Sequence, residues 1–279
     1  MPADSMPVDK SERRIRRMFG QIAPWYDILN HLLSCGIDIA WRRKTVRTVS
    51  PEGTSPILDV CTGTGDLAFG YWKQGRKRIP VVGTDFTHQM LEIADRKRDR
   101  LVHRNKRRAA AAAAEGDTDS FRPPIFLEAD TLRLPFPDDT FQIVSVGFGL
   151  RNVTDTDAGL KEMIRVCQSG GRVAVLEFSM PDHPIIGRLY RFYFQHILPR
   201  IGQKVSDSEE AAYNYLPKSV AEFPQGEALA ERMRAFGLET VSWNRLTFGI
   251  ATLYCGKKPH SQERPLPDKR DRTEAKCGI

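Results

Sequence analysis

The sequence is poor in the features that mark several protein classes. Its 279 residues include only five cysteines (Cys35, Cys61, Cys167, Cys255 and Cys277), odd in number and with no CxxC pair. Such spacing argues against a zinc ribbon or a disulfide scaffold and fits a reducing cytoplasm; no metal is expected. No apolar run approaches the ~18 residues needed to span a bilayer. The opening MPADSMPVDKSERRIRR contains no apolar segment of a secretory signal. Any membrane association is therefore expected to be peripheral.

Charge of one sign is also missing from most of the chain. The balance of 42 Lys+Arg against 35 Asp+Glu gives +7, which invites a nucleic-acid reading. Yet residues 96–108 hold Arg96, Lys97, Arg98, Arg100, Arg104, Lys106, Arg107 and Arg108 against the single acid Asp99, and so account for the whole excess. No aromatic residue is interleaved with these bases, as a reader of RNA requires. Nucleic acid is not expected as a partner.

What is present is an alternation of short apolar runs and helical stretches. After a flexible N-terminus (1–9), residues 10–49 read as helical: Ile15, Met18, Phe19 and Ile22 recur at helix spacing. A Pro- and Gly-containing break spans 51–56. Strand-like runs follow at 57–60, 81–85, 124–130, 141–150 and 172–179, with helices near 66–74, 87–100 and 157–168. That rhythm implies βαβ units in a mostly parallel sheet covered on both faces. Residues 96–124, a basic run leading into six alanines (109–114) and then EGDTDS, read as an exposed mobile insertion. Beyond Ser179 come a helical stretch rich in aromatic residues (189–194), an amphipathic helix near 226–236 and two closing strands at 239–246 and 249–258. The remainder, 259–279, reads as a disordered tail.

The sharpest local signal is ILDVCTGTGDLA at 57–68. An apolar strand ends at Asp59, Gly63 and Gly65 make a tight turn, and a helix starts near Asp66. Asp85 ends the next strand twenty residues after Gly65, where a carboxylate can accept both hydroxyls of a ribose. The third position of a dinucleotide fingerprint is Ala68, which that motif tolerates, so the glycines leave NAD and S-adenosylmethionine both open. Asp59 and Asp66 favour the latter, because carboxylates beside the loop repel a pyrophosphate but suit an ammonium and a sulfonium. Asp130, ending the third strand, is placed to meet the adenine edge.

Several longer motifs resemble the menaquinone/ubiquinone biosynthesis C-methyltransferase family over about residues 10–258. They are MFGQIAPWYDILNHLLSCGIDIAWRR (18–43), LDVCTGTGDLA (58–68), LPFPDDTFQIVSVGFGLRNVTD (134–155), GGRVAVLEFSMP (170–181), LPRIGQKV (198–205) and YNYLPKSV (213–220). The resemblance implies a class I S-adenosylmethionine-dependent methyltransferase fold: a Rossmann-like, mostly parallel seven-stranded sheet with helices on both faces and an N-terminal helical lid. It implies methylation of a ring carbon of a polyprenylated quinol; demethylmenaquinol is the expected acceptor, with the benzoquinol intermediate of ubiquinone biosynthesis as the alternative. By position it puts donor-binding roles on Thr64, Asp85 and Asp130-Thr131. A serine often used for the donor falls on Gly147 here, so that contact is lost or made by backbone.

For the chemistry, the strand ending at Gly147 delivers Arg151 and Asn152 to the sheet's C-terminal edge, where open α/β sheets bind ligands. Arg151 is expected to stabilise a phenolate and Asn152 to orient the hydroxyl or a water. A buried salt bridge from Arg151 to Glu177 or Asp155 is the competing reading. Tyr26, Asp27, Asn30 and His31 are expected to close over the quinol, with His31 the candidate base by its ordinary pKa. Two other functions stand as alternatives: an RNA methyltransferase, from the net charge of +7, and a methyltransferase of soluble small molecules. The expected setting is cytoplasmic, with the basic arm touching an anionic membrane at its inner face.

Overall fold

The computed structural model describes residues 9–27, 34, 36–114, 122–181, 184–192 and 210–260. The strands follow the apolar runs: β1 Ile57–Val60, β2 Val81–Asp85, β3 Ile125–Glu128, β4 Phe141–Gly147, β5 Cys167–Phe178, β6 Glu239–Leu246 and β7 Ala251–Lys257. They form one seven-stranded sheet in the order β3-β2-β1-β4-β5-β7-β6. β1 to β5 pair in parallel, while β7 runs antiparallel to β5 and β6 antiparallel to β7. The order reverses between β1 and β4, and such a switch point opens a crevice at the strands' carboxyl ends.

Helices cover the sheet because alternate strand residues point to opposite faces. Leu58, Val60, Val144 and Val146 pack with α5 (Thr156–Val166) and α8 (Glu227–Ala235) through Leu160, Met163, Leu229 and Met233. Ile57, Ile143 and Ala174 face the other way, toward α2 (Ile37–Thr48), α3 (Asp66–Gln74) and α4 (His88–Ala114). Asp59 and Ser145 stand opposite each other in register and share this second face with the isoleucines.

Helix α4 runs unbroken for 27 residues, so the basic run and the alanines belong to one helix that starts at His88. Its residues Met90, Leu91 and Ala94 are buried, and Leu101 packs beside them. At the N-terminus, α1 (Glu12–Ile22) buries Ile15 and Met18 against Tyr215 of α7 (Glu210–Glu222). Helix α7 escapes a reading by pattern because Pro217 lies inside it, a residue that ordinarily breaks a helix. Helix α6 (Pro184–Phe192) buries Tyr190 and exposes Phe192. No helix among the described residues is long and apolar enough to cross a membrane.

Candidate active site

Gly63 and Gly65, with φ of +56° and +86°, carry β1 into α3. A Cβ at Gly65 would lie 2.9 Å from the Phe126 ring, whereas one at Gly63 would meet only Tyr26, at 3.9 Å. Gly65 thus serves packing, and Gly63 keeps the loop backbone open to the cleft. The cleft is lined by Gly63, Asp85, Asp130, Thr131, Gly147, Phe148 and Asn152 from the sheet's edge. Ile15, Phe19 and Tyr26 of the N-terminal helices form its opposite wall.

Asp85 ends β2 with its carboxylate buried; the N–H groups of Gly63 and Thr87 donate to its two oxygens at 2.9 and 2.8 Å. Burial nevertheless raises its pKa above the ordinary carboxylate range. Each carboxylate oxygen can accept a further hydrogen bond, the capacity a ribose diol needs. Asp130 receives the Leu132 N–H on Oδ1 at 2.9 Å, and the Thr131 hydroxyl lies 3.3 Å from the Cys61 sulfur. Burial pushes the pKa of the Cys61 thiol, which lines the cleft, above its ordinary value.

Asp59 lies outside the cleft lining. It is 1% exposed, and its oxygens accept hydroxyl protons from Thr62 at 2.6 Å and Ser145 at 2.8 Å. Burial raises its pKa to about 6. Because side chains alternate along β1, Asp59 faces Ser145 inside the sheet and braces the loop from beneath.

Arg151 is also redirected. Its guanidinium is buried, donating to Glu177 at 2.8 Å and to the Phe148 carbonyl, and it lies over the Phe178 ring at 5.2 Å. Burial works against its charge, but the Glu177 carboxylate prevails and the pKa is raised. Its backbone N–H donates to the same carboxylate at 3.2 Å. The salt-bridge reading holds with Glu177, while Asp155 instead caps α5 by accepting from Asp157 and Ala158. Arg151 therefore fixes the turn at Leu150–Asn152 from behind, and Asn152 lines the cleft. The Asn152 Oδ1 has no hydrogen-bond partner among the described residues, while its amide N–H donates to the Phe148 carbonyl at 3.4 Å.

The glycine loop carries one arrangement that pattern reading missed. Lys97 Nζ lies 2.6 Å from Asp27, 2.8 Å from Asp66 and 2.9 Å from the Thr64 hydroxyl, which itself donates to Asp27 at 2.5 Å. Two carboxylates thus surround one ammonium and leave the loop's edge net negative. The signal was available: positions 90, 94, 97 and 101 share one helical face, so Lys97 continues a buried stripe rather than a solvated one. Gly147 lines the cleft without a side chain, and a Cβ there would sit 3.2 Å from Leu67. His31 and Asn30 lie outside the described residues, as do Tyr193 and Phe194 of the aromatic stretch.

Residues 7–258 match the ubiE/COQ5 methyltransferase family. A demethylmenaquinone methyltransferase of Deinococcus radiodurans is 42% identical over 262 residues, covering 92% of this chain and 100% of the relative. One of Thermus thermophilus, with the same description, is 44% identical and covers 87% and 100%. A ubiquinone/menaquinone biosynthesis C-methyltransferase UbiE of a Geobacter species is 41% identical, covering 90% and 98%. The fold is shared with a solved S-adenosylmethionine-dependent methyltransferase of Thermotoga maritima at a TM-score of 0.56 and 19% identity, over 87% of this chain and 99% of that one.

Proposed function

The chain belongs to the ubiE/COQ5 methyltransferase family, and from that membership we propose that it methylates a ring carbon of a polyprenylated quinol, with S-adenosylmethionine as donor. The acceptor we assign is the naphthoquinol demethylmenaquinol, on the strength of relatives so described that align over their whole length. The benzoquinol intermediate of ubiquinone biosynthesis is the second reading, favoured by relatives whose description includes both quinones.

The residues fit the donor. Asp85 supplies acceptors for a ribose diol, Asp130 and Thr131 line the adenine side, and Gly63 offers bare backbone at the point of closest approach. Thr64 stands at the net-negative edge formed with Asp27, Asp66 and Lys97, which suits an ammonium. The donor supplies an electrophilic methyl on a sulfonium; the protein's part is to hold a carbon nucleophile in line with it. Such positioning accounts for up to ~7–11 kcal/mol of barrier in favourable cases.

The observation that carries the acceptor's placement is Asn152 in the cleft wall, whose Oδ1 has no hydrogen-bond partner among the described residues. A side-chain rotation that turns this oxygen to the cleft lets it accept a quinol hydroxyl, which shifts electron density toward the neighbouring ring carbon and fixes the ring's orientation. Arg151 and Glu177 position Asn152 through the turn, and Tyr26 closes the cleft over Gly63. The methyl passes from the sulfonium sulfur to the ring carbon, the C–S bond breaking to leave the neutral thioether, and the proton displaced from that ring carbon leaves to water. Incubation of purified protein with methyl-labelled donor and each quinol tests this. Label is expected in the naphthoquinol product, and absence of label from both quinols with the donor bound would refute the assignment.

A further inference from the structure

Behind the glycine loop, α2, α3 and α4 enclose a second groove of about 630 Å³. Ile39, Arg43, Val46 and Arg47 lie on one face of α2, at i, i+4, i+7 and i+8. Phe69, Gly70 and Lys73 bring α3 to the same space, and Lys97, Arg100 and Leu101 bring α4. The floor is apolar, and six basic side chains line the groove against one carboxylate, Asp66, which Lys97 already pairs. Arg43, Arg47, Lys73 and Arg100 are exposed, and none has an acidic partner among the described residues.

Four unpaired cations over an apolar floor match an anionic amphiphile in chemistry. An RNA strand would want exposed rings to stack on. The one ring in the lining, Phe69, is 5% exposed and packed edge-on against Phe126. Ile37 and Ile39, each 37% exposed at the start of α2, add apolar surface beside the cations. We propose that this groove docks the protein on a membrane by receiving the phosphate headgroups of acidic phospholipids. The reading rests on the proposed lipid-quinol acceptor only for its purpose, since Arg43, Arg47, Lys73 and Arg100 line this groove and not the donor cleft.

Flotation with phosphatidylcholine vesicles, with and without phosphatidylglycerol, tests it. Each cation near such a surface is worth about a fivefold change in partitioning, so R43Q/R47Q/K73Q should weaken binding to the acidic vesicles roughly a hundredfold. The same loss of charge elsewhere, in R133Q/K218Q/K257Q, should change it little. Methyl transfer to a short-chain quinol in solution should be equal in all three proteins. The proposal is overturned if the groove variant floats like the parent, or if both variants lose binding equally. It is likewise overturned if inorganic phosphate or RNA binds at the groove while acidic vesicles do not. Absence of methyl transfer in all three would count against the proposed reaction alone and leave the flotation result to decide the groove.

Discussion

Replacing Glu177 by glutamine leaves the Arg151 guanidinium buried with no counter-charge. Both side chains are almost wholly enclosed, at 7% and 1% exposure, so water cannot take over the lost partner. Breaking a buried pair from one side costs about 3–5 kcal/mol. Two contacts soften the loss here: the Phe148 carbonyl still accepts from the guanidinium, and the Phe178 ring 5.2 Å away attracts the cation. The lower end, about 3 kcal/mol, is therefore expected. Against a typical domain stability of ~5–15 kcal/mol the protein still folds. Urea denaturation should show a lower midpoint with an unchanged slope. R151M/E177Q, which removes the buried charge as well, should recover at least half of the loss. Because the pair aims Asn152, the single variant should also lose about a hundredfold in kcat with little change in donor affinity. A single variant within ~1 kcal/mol of the parent would refute the buried-pair argument. So would a double variant no more stable than the single.

Three further outcomes follow from the site. G65A forces a side chain into a left-handed backbone and to 2.9 Å from Phe126; a loss of about 1–3 kcal/mol is expected, read by thermal unfolding. Asp59 holds its proton more firmly in the folded chain, at about 6, than in the unfolded one near 3.8. Its contribution is therefore most favourable below the unfolded value and declines as pH rises to about 6, by up to roughly 3 kcal/mol; D59N should lack this share of the decline in denaturation curves across that range. K97M releases Asp27 from the glycine loop, and at about 1 kcal/mol for a half-buried pair the N-terminal segment should be cut about fivefold faster by protease; unchanged cleavage would show that the ammonium does not hold it.

Much of the fold follows from local pattern. The strands appear where short apolar runs end in turn residues, and alternation along β1 and β4 already separates Leu58 and Val60 from Ile57. Gly63, Asp85, Asp130, Thr131, Tyr26 and Asn152, expected at the site from motif and position, line one cleft. Helix α7 was not, because Pro217 masks it locally while packing of Tyr215 against Ile15 and Met18 sustains it.

What the sequence determined by itself was the order of elements, the glycine loop and the residue types delivered to the sheet's edge, since each depends on neighbours within a few positions. Only the tertiary structure decided which charges meet. Asp59 turned inward to Ser145 across 86 positions, Arg151 to Glu177 across 26, and Lys97 to Thr64 across 33. A charge takes its role from its partner and its access to water, and both are set by chain segments far apart in sequence. The basic excess divided for the same reason: Lys97 became an internal tie of the glycine loop, while Arg100 on the same helix was left facing an open groove.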